Sequence, residues 1–314
     1  MEKQEKNIAL VDHKIAPRFT KVTRKNGLTF YRPNDAMTMI HEEFVREIKQ
    51  TLSSDKRLFS EGIKKKFILT YRKNRVRCVA DHRFNRFFYK TDIRNFFDSI
   101  SCKEMARVVS QIDKTFSEEK IYQLLKRYFF HQNGGLVIGA NASPFLADLY
   151  AFYKLDLPLM DLCDRYGVVY TRYVDDLIFS SEQSIGTKKR RKIRNIISSA
   201  RLEVNHQKSD VFDLQERKTA QFLGVGIEFG GRIFVPRGIK RRIRGMLEKA
   251  ESTVGYIPYD ILHGQCALLV ELYHTFPGEM SEGERKLFER YSCLVKALKA
   301  KRLRDKKKMN FNSF

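Results

Sequence analysis

Three carboxylates stand out in this chain of 314 residues because of where they sit. Asp92 ends the aromatic run FFYKTD, and Asp175 and Asp176 interrupt the apolar run VVYTRYVDDLIFSS at 168–181. Strand interiors do not tolerate bare carboxylates. If 168–173 and 177–180 are paired strands, residues 174–176 form a hairpin tip, where Asp is a good turn residue and can be solvated. One reading is therefore a plain Asp-Asp turn. A second acid in a matching setting supports another reading: two such strands side by side bring Asp92 and Asp175 together. Clustered carboxylates repel unless a cation joins them, and oxygen-only ligands select Mg²⁺ or Mn²⁺. A pair of such ions activates an attacking hydroxyl and stabilises a leaving oxygen, which is the chemistry of phosphoryl transfer.

Charge points to the kind of substrate. Lys and Arg number 60 against 37 Asp and Glu, a formal +23, and the excess is spread along the whole chain. Distributed positive charge suits a polyanion, most commonly nucleic acid. An anionic membrane is the competing partner. The sequence has no apolar run of about 18 residues, no signal peptide and no lipidation motif, so a cytoplasmic protein without membrane attachment is expected. Hydrophobic residues make up 42%, with 24 Phe and 14 Tyr, enough for a real core. Cys78, Cys102, Cys163, Cys266 and Cys293 are scattered without a C-x-x-C pair, which predicts reduced thiols rather than disulfides or a zinc site. The seven histidines show no metal-ligand spacing either.

The elements that must position the acids follow from pattern. Residues 17–33 read as two strands around an Asn26-Gly27 turn. Met39, Ile40, Phe44, Ile48 and Leu52 mark an amphipathic helix over 36–54. Residues 84–100 are aromatic and β-prone. Ser101 caps a helix over 102–112, a second helix spans 116–130, and a third starts near Ser143, with Pro144 in its first turn. The acid-bearing hairpin follows. Next come a basic helix with Ile193, Ile196 and Ile197 on its buried side, and two strands in 220–236 around Gly230-Gly231. From 238 onward the pattern is helical and basic, with a boundary near 228–237.

In this order the motifs resemble those of reverse transcriptases. YVDD at 173–176 resembles the family's Y-x-D-D box, and YKTDIRNFFDSI its first acidic motif. GLVIGANASPFLADL is similar to the glycine-loop and Ser-Pro helix motif between the two. LEVNHQKSDVF at 202–212, with Asn205 and Lys208, resembles a downstream motif, and AQFLGVGI at 220–227 the primer grip. The resemblance covers residues 84–236, and the upstream hairpin and helix suit the family's fingers. It implies an α+β right-hand polymerase fold with fingers, an antiparallel-sheet palm and a helical thumb. The implied divisions are fingers in 1–85, palm in 86–236 with fingers helices at about 102–135, and a basic helical thumb in 237–314.

The resemblance also implies roles. Asp92 and Asp175, supported by Asp176 and the Ile93 carbonyl, would hold two Mg²⁺ ions that align a primer 3′-OH on the α-phosphate of a dNTP. Phe97 matches the steric gate that clashes with a 2′-OH; since Phe96 and Phe97 alternate, only one can be fully buried. Lys208 would protonate the pyrophosphate leaving group, with a solvated surface lysine as the alternative. Gly139 and Ala140 would let backbone approach nucleotide and template. Arg24 and Arg32, on the two arms of the first hairpin, would close on the triphosphate. Lys240, Arg241, Arg242 and Arg244, with the clusters at 188–194 and 299–308, would grip the phosphate backbone without base readout.

Departures from the family are equally specific. Ile138 stands where a Gln commonly precedes the glycine, and Asn141 replaces the usual proline. The compact plan matches bacterial stand-alone enzymes of retrons and of phage-defence or abortive-infection systems. Retron enzymes usually carry N-A-x-x-H and Val-Thr-Gly elements, where this chain has VADHRF and FLGVG; this inclines it toward the divergent defence group. The implied partners are an RNA template, expected to be a structured noncoding RNA, its DNA product and dNTPs, with homo-oligomerisation left open. Two other readings stand beside this one. The first is a protein-primed or template-independent polymerase. The second is a non-catalytic nucleic-acid-binding scaffold, against which the intact acids argue.

Overall fold

The computed structural model describes residues 19–24, 27, 29–54, 74–132, 134–252 and 257–311, without the side chains of 299 and 301–311. It divides into two compact units: Met1–Arg72, Tyr89–Phe179 and Ile185–Asp210 form the first, and Lys73–Phe88, Ser180–Ser184 and Val211–Phe314 the second.

The first unit opens with an antiparallel hairpin, β1 (Phe19–Thr23) and β2 (Thr29–Pro33), whose last pair is Thr23 with Thr29. The connection is therefore longer than a two-residue turn. Gly27 supplies its left-handed φ of +82°, while Asn26 lies outside the described residues. Helix α1 (Asp35–Ser54) begins where Asn34 Oδ1 accepts from the Met37 amide at 2.9 Å. It buries Met37, Ile40, Phe44, Ile48 and Leu52; Met39, expected on that face, is 70% exposed and gives its place to Met37.

Helix α2 (Arg75–Ala80) belongs to the second unit. Strand β3 (Phe87–Asp92) then carries Asp92 at its end. The aromatic stretch is not strand throughout: Asn95 turns left-handed at φ +46° and Phe96–Ser99 forms the short helix α3. Helices α4 (Cys102–Ile112) and α5 (Glu118–Tyr128) are capped by Ser101 and Ser117, each accepting a backbone N–H three residues on. Helix α6 (Ser143–Ala151) passes into a π-helical turn (Phe152–Asp156) and on into α7 (Leu157–Tyr166), which Gly167 ends in the left-handed conformation.

Strands β4 (Val169–Tyr173) and β5 (Asp176–Ser181) form the acid-bearing hairpin. With β6 (Asp210–Asp213) they make a four-stranded sheet in the order β4-β5-β3-β6, so the two acid-bearing strands are neighbours. Phe179 stacks on Tyr89 and Tyr170 at 5.6 and 4.9 Å, fixing the sheet's buried face; each such pair contributes about 0.5–1.5 kcal/mol beyond its buried area. Helix α8 (Thr187–Ser199) buries Ile193 and Ile197 and leaves Ile196 half-buried.

In the second unit, α9 (Leu214–Arg217) leads into β7 (Thr219–Phe222), β8 (Val225–Glu228) and β9 (Ile233–Phe234). This is a three-stranded meander, one strand more than expected. Leu223 and Gly224, both left-handed, close a two-residue turn that the Leu obscures in sequence. Phe88, Phe212 and Phe222 stack as a triplet. Helices α10 (Arg237–Ser252), α11 (Tyr259–Thr275) and α12 (Glu282–Phe311) complete the unit. Buried Glu284 ties it together, accepting from the Val235 amide and from the Ser281 amide and hydroxyl, each at 2.8 Å. Among the described residues the cysteines are all unbridged, and burial pushes the Cys163 thiol up to about 12.

Candidate active site

Backbone bonds, not side chains, assemble the acidic cluster. The Ile93 amide donates to the Asp175 carbonyl at 3.0 Å and the Asn205 amide to the Asp92 carbonyl at 2.8 Å. Ile93 also bridges Val204. The bonds flanking that bridge run from the Arg94 amide to the Glu203 carbonyl and from the Asn205 amide to the Asp92 carbonyl.

Asp92 is buried, and its Oδ2 accepts from Asn205 Nδ2 at 3.2 Å and from Lys208 Nζ at 3.1 Å. Asp175 and Asp176 are half-buried. Burial pushes the Asp175 carboxyl up, and the charges of Asp92 and Asp176 add to this. Asp176 moves the same way, mainly through burial, with Lys90 at 4.0 Å opposing it. The hydrogen bond to Asp92 raises the Lys208 ammonium. The hairpin tip is Val174–Asp175; Asp176 is the first residue of β5 rather than part of the turn. Val174 has φ +59°, strained for a β-branched residue.

No three Asp, Glu, His or Cys side chains among the described residues converge on one point as a ready metal cage. The donor set nonetheless suits Mg²⁺. Its donors are oxygens, and its three carboxylates face only two lysines, Lys208 and Lys90. Mg²⁺ commonly takes one or two protein carboxylates and completes its shell with water and substrate phosphates.

The other expected residues sort clearly. Phe96 is buried and Phe97 half-buried, packed edge-on to it at 5.6 Å, so one of the two remains available. The cause is a helical turn, not strand alternation. Gly139 has φ +97°, and a Cβ there would lie 2.8 Å from the Tyr31 carbonyl and 3.1 Å from the Phe30 ring. The Tyr31 amide donates to the Ile138 carbonyl at 2.7 Å. The glycine therefore lets the loop lie against β2, a packing reason that sequence alone did not show. Ala140 is only 3% exposed, leaving little of it to touch a ligand. The Arg24 guanidinium sits 5.2 Å from the Phe30 ring, against which Gly139 also lies, and Arg32 falls on the same face of β2 as Phe30.

In the second unit, Arg241, Arg242 and Arg244 are exposed on α10, but Lys240 is partly engaged, 3.7 Å from buried Glu284. The side chains of the 299–308 cluster lie outside those described, save Ala300.

Sequence reasoning missed the residues beneath the tip: Arg172, Asp156 and Asp148. The signal was present, because an Arg inside an apolar strand must find acids, and two stand in the otherwise apolar helix before it.

The family model for reverse transcriptase (RNA-dependent DNA polymerase) matches residues 24–227, more than half of the chain. The chain belongs to that family. Retron Mx65 reverse transcriptase of Myxococcus xanthus is 28% identical over 54% of this chain and 42% of its own length. Retron Ec83 reverse transcriptase of Escherichia coli is 24% identical over 69% of this chain and 71% of its own length. With Retron Ec73 reverse transcriptase matched over 55% of its length, the chain spans about half of the curated relatives it matches. These relatives are retron enzymes, which supports a bacterial, retron-like reverse transcriptase. Among solved structures, telomerase from Candida albicans, in complex with a fragment of telomeric RNA, aligns over 89% of this chain and 55% of its own. The TM-score is 0.52 at 11% identity, a likeness of fold that supports the right-hand α+β class. No helix among the described residues is long and apolar enough to cross a membrane.

Proposed function

We propose that the chain is an RNA-directed DNA polymerase, a nucleotidyltransferase that extends a primer 3′ end with dNTPs. The observation that carries this reading is the backbone bond joining the Asp92 strand to the Asp175 tip, with Lys208 on Asp92. Asp92 and Asp175, with Asp176 and the Ile93 carbonyl beside them, would hold Mg²⁺. When bound, the metal supplies activation of the 3′-OH and charge neutralisation on the leaving phosphate. Phe97 would exclude a 2′-OH, and Arg24 and Arg32 would orient the triphosphate. Lys208 balances the Asp92 charge; its raised pKa suits a cation first and a proton donor to pyrophosphate second.

Residues 1–85 with the helices at about 102–135 would serve as fingers, 86–236 as palm and 237–314 as thumb, with Arg241, Arg242 and Arg244 on duplex phosphates. The retron relatives support a retron-like enzyme, and we propose that it copies a structured noncoding RNA in an anti-phage setting. The test is incorporation of labelled dNTPs with Mg²⁺ and an RNA template-primer. Template-dependent product supports the reading. Label that stays on the protein without template would replace it with protein priming, and binding without incorporation with a scaffold.

A further inference from the structure

Arg172 lies inside β4 with its side chain 3% exposed, against an Asp156 that is 0% exposed. Its Nε donates to Asp156 Oδ1 and Oδ2 at 2.9 and 3.1 Å, and its Nη2 to Oδ2 at 2.8 Å. Nη1 reaches two other acceptors, Asp148 Oδ1 and the Val174 carbonyl, both at 2.9 Å. The Tyr170 hydroxyl donates to Asp156 Oδ1 at 2.7 Å, and Asp156 is the last residue of the π-helical turn, a kind of irregularity that is frequent at functional sites.

A buried ion pair is weak evidence for a stability role, because apolar residues of similar volume often serve as well. An apolar residue cannot, however, bond a carbonyl. The carbonyl held here belongs to Val174, whose left-handed backbone is strained and persists only where its surroundings fix it. Holding the Val174–Asp175 peptide sets the direction in which the Asp175 side chain leaves the chain. The next carbonyl, that of Asp175, is held by the Ile93 amide. Asp175 is thus pinned by two successive carbonyls, one on a side-chain clamp and one on a strand.

We infer that Arg172, locked by Asp156 and Asp148, is a positioning residue that clamps the Val174 carbonyl and so aims Asp175 at the reacting centre. Its kinetic consequence rests on the polymerase reading; its structural consequence does not.

The test uses the full chain and two variants. The triple variant Asp156→Leu, Tyr170→Phe, Arg172→Met replaces the fully buried part of the network with apolar bulk and leaves Asp148, whose side chain is 24% exposed, to solvent. Arg172→Lys keeps a buried cation and gives up the fork. Both are expected to fold, with Ile93 amide exchange in the metal-free protein roughly five- to tenfold faster, the equivalent of one lost hydrogen bond. Mn²⁺ affinity and kcat should fall about 10- to 100-fold, as for residues that orient metal ligands, while KM for dNTP and primer-template stays within about threefold. Folded variants with wild-type Ile93 protection, Mn²⁺ affinity and kcat would overturn the inference. So would failure of both to fold, which would assign the network to stability. A wild-type protein that incorporates no nucleotide sinks the polymerase reading, and Ile93 exchange then still decides the positioning claim.

Discussion

The Ile93 amide and the Asp175 carbonyl, 3.0 Å apart, couple the strand that ends in Asp92 to the hairpin tip that carries Asp175. The acids are placed by main-chain bonds, so replacing a carboxylate by its amide removes charge without removing the scaffold. This separates chemistry from folding at the centre of the site and makes the outer positions open to the same treatment.

Gly139→Ala is expected to lower stability by about 1–3 kcal/mol, the usual cost of a side chain in such backbone. The new Cβ would also meet the Tyr31 carbonyl at 2.8 Å. The displaced β2 should weaken the Tyr31–Ile138 bond and raise KM for dNTP more than it lowers kcat. Denaturant midpoints and steady-state kinetics check both parts; a variant as stable as wild type contradicts the packing role.

Phe97→Val should relax sugar selection. Only Phe97 of the aromatic pair is open to solvent, and a shape contact of this kind is worth about 1–3 kcal/mol. The ratio of kcat/KM for dNTP over rNTP is therefore expected to fall roughly 10- to 200-fold. An unchanged ratio would remove Phe97 from the site.

Much of this was legible in sequence because local chemistry settled it. Ser101 caps as side-chain chemistry demands, and the Asp92 and Asp175 strands had to be neighbours for clustered acids to make sense. Met39 shows the limit: its spacing suits the buried stripe, but Met37, two residues earlier, takes the buried position. Gly139 was read as a nucleotide contact, since nothing local reveals that β2 presses on it. Arg172 announced only a need for acids, not which ones: Asp156 and Asp148 lie 16 and 24 positions away in sequence and meet it only through the fold.

His41 should make the protein acid-sensitive. Burial lowers its pKa, and Nε2 contacts the Tyr128 carbonyl at 2.8 Å, which fits a neutral ring donating from that nitrogen. The unfolded chain therefore binds the extra proton more readily. This contribution is present above the unfolded value of about 6.5 and is lost as pH falls below it toward the folded value. Between pH 8 and 5, His41→Phe should flatten the fall in stability even if it starts lower for want of the Tyr128 bond. Equal pH slopes would contradict this.

Arg241, Arg242 and Arg244 project from α10 into solvent, while Lys240 is held near Glu284. Replacing the three arginines by Ser should reduce the slope of log affinity for primer-template against log salt by about one for every phosphate left without its arginine. Lys240→Ser should instead register mainly as lost stability. A triple variant with an unchanged salt slope would place the duplex elsewhere.

The central claim meets its most direct test in single-turnover addition of one dNTP to a primer on an RNA template, comparing wild type with Asp175→Asn. The wild-type protein should show Mg²⁺-dependent addition of the nucleotide the template specifies. In Asp175→Asn the rate should fall about 10³-fold or more, the size of a lost transition-state interaction of several kcal/mol, while primer-template affinity stays within about threefold. Addition that ignores the template, or an Asp175→Asn protein that adds nucleotide at the wild-type rate, would contradict it.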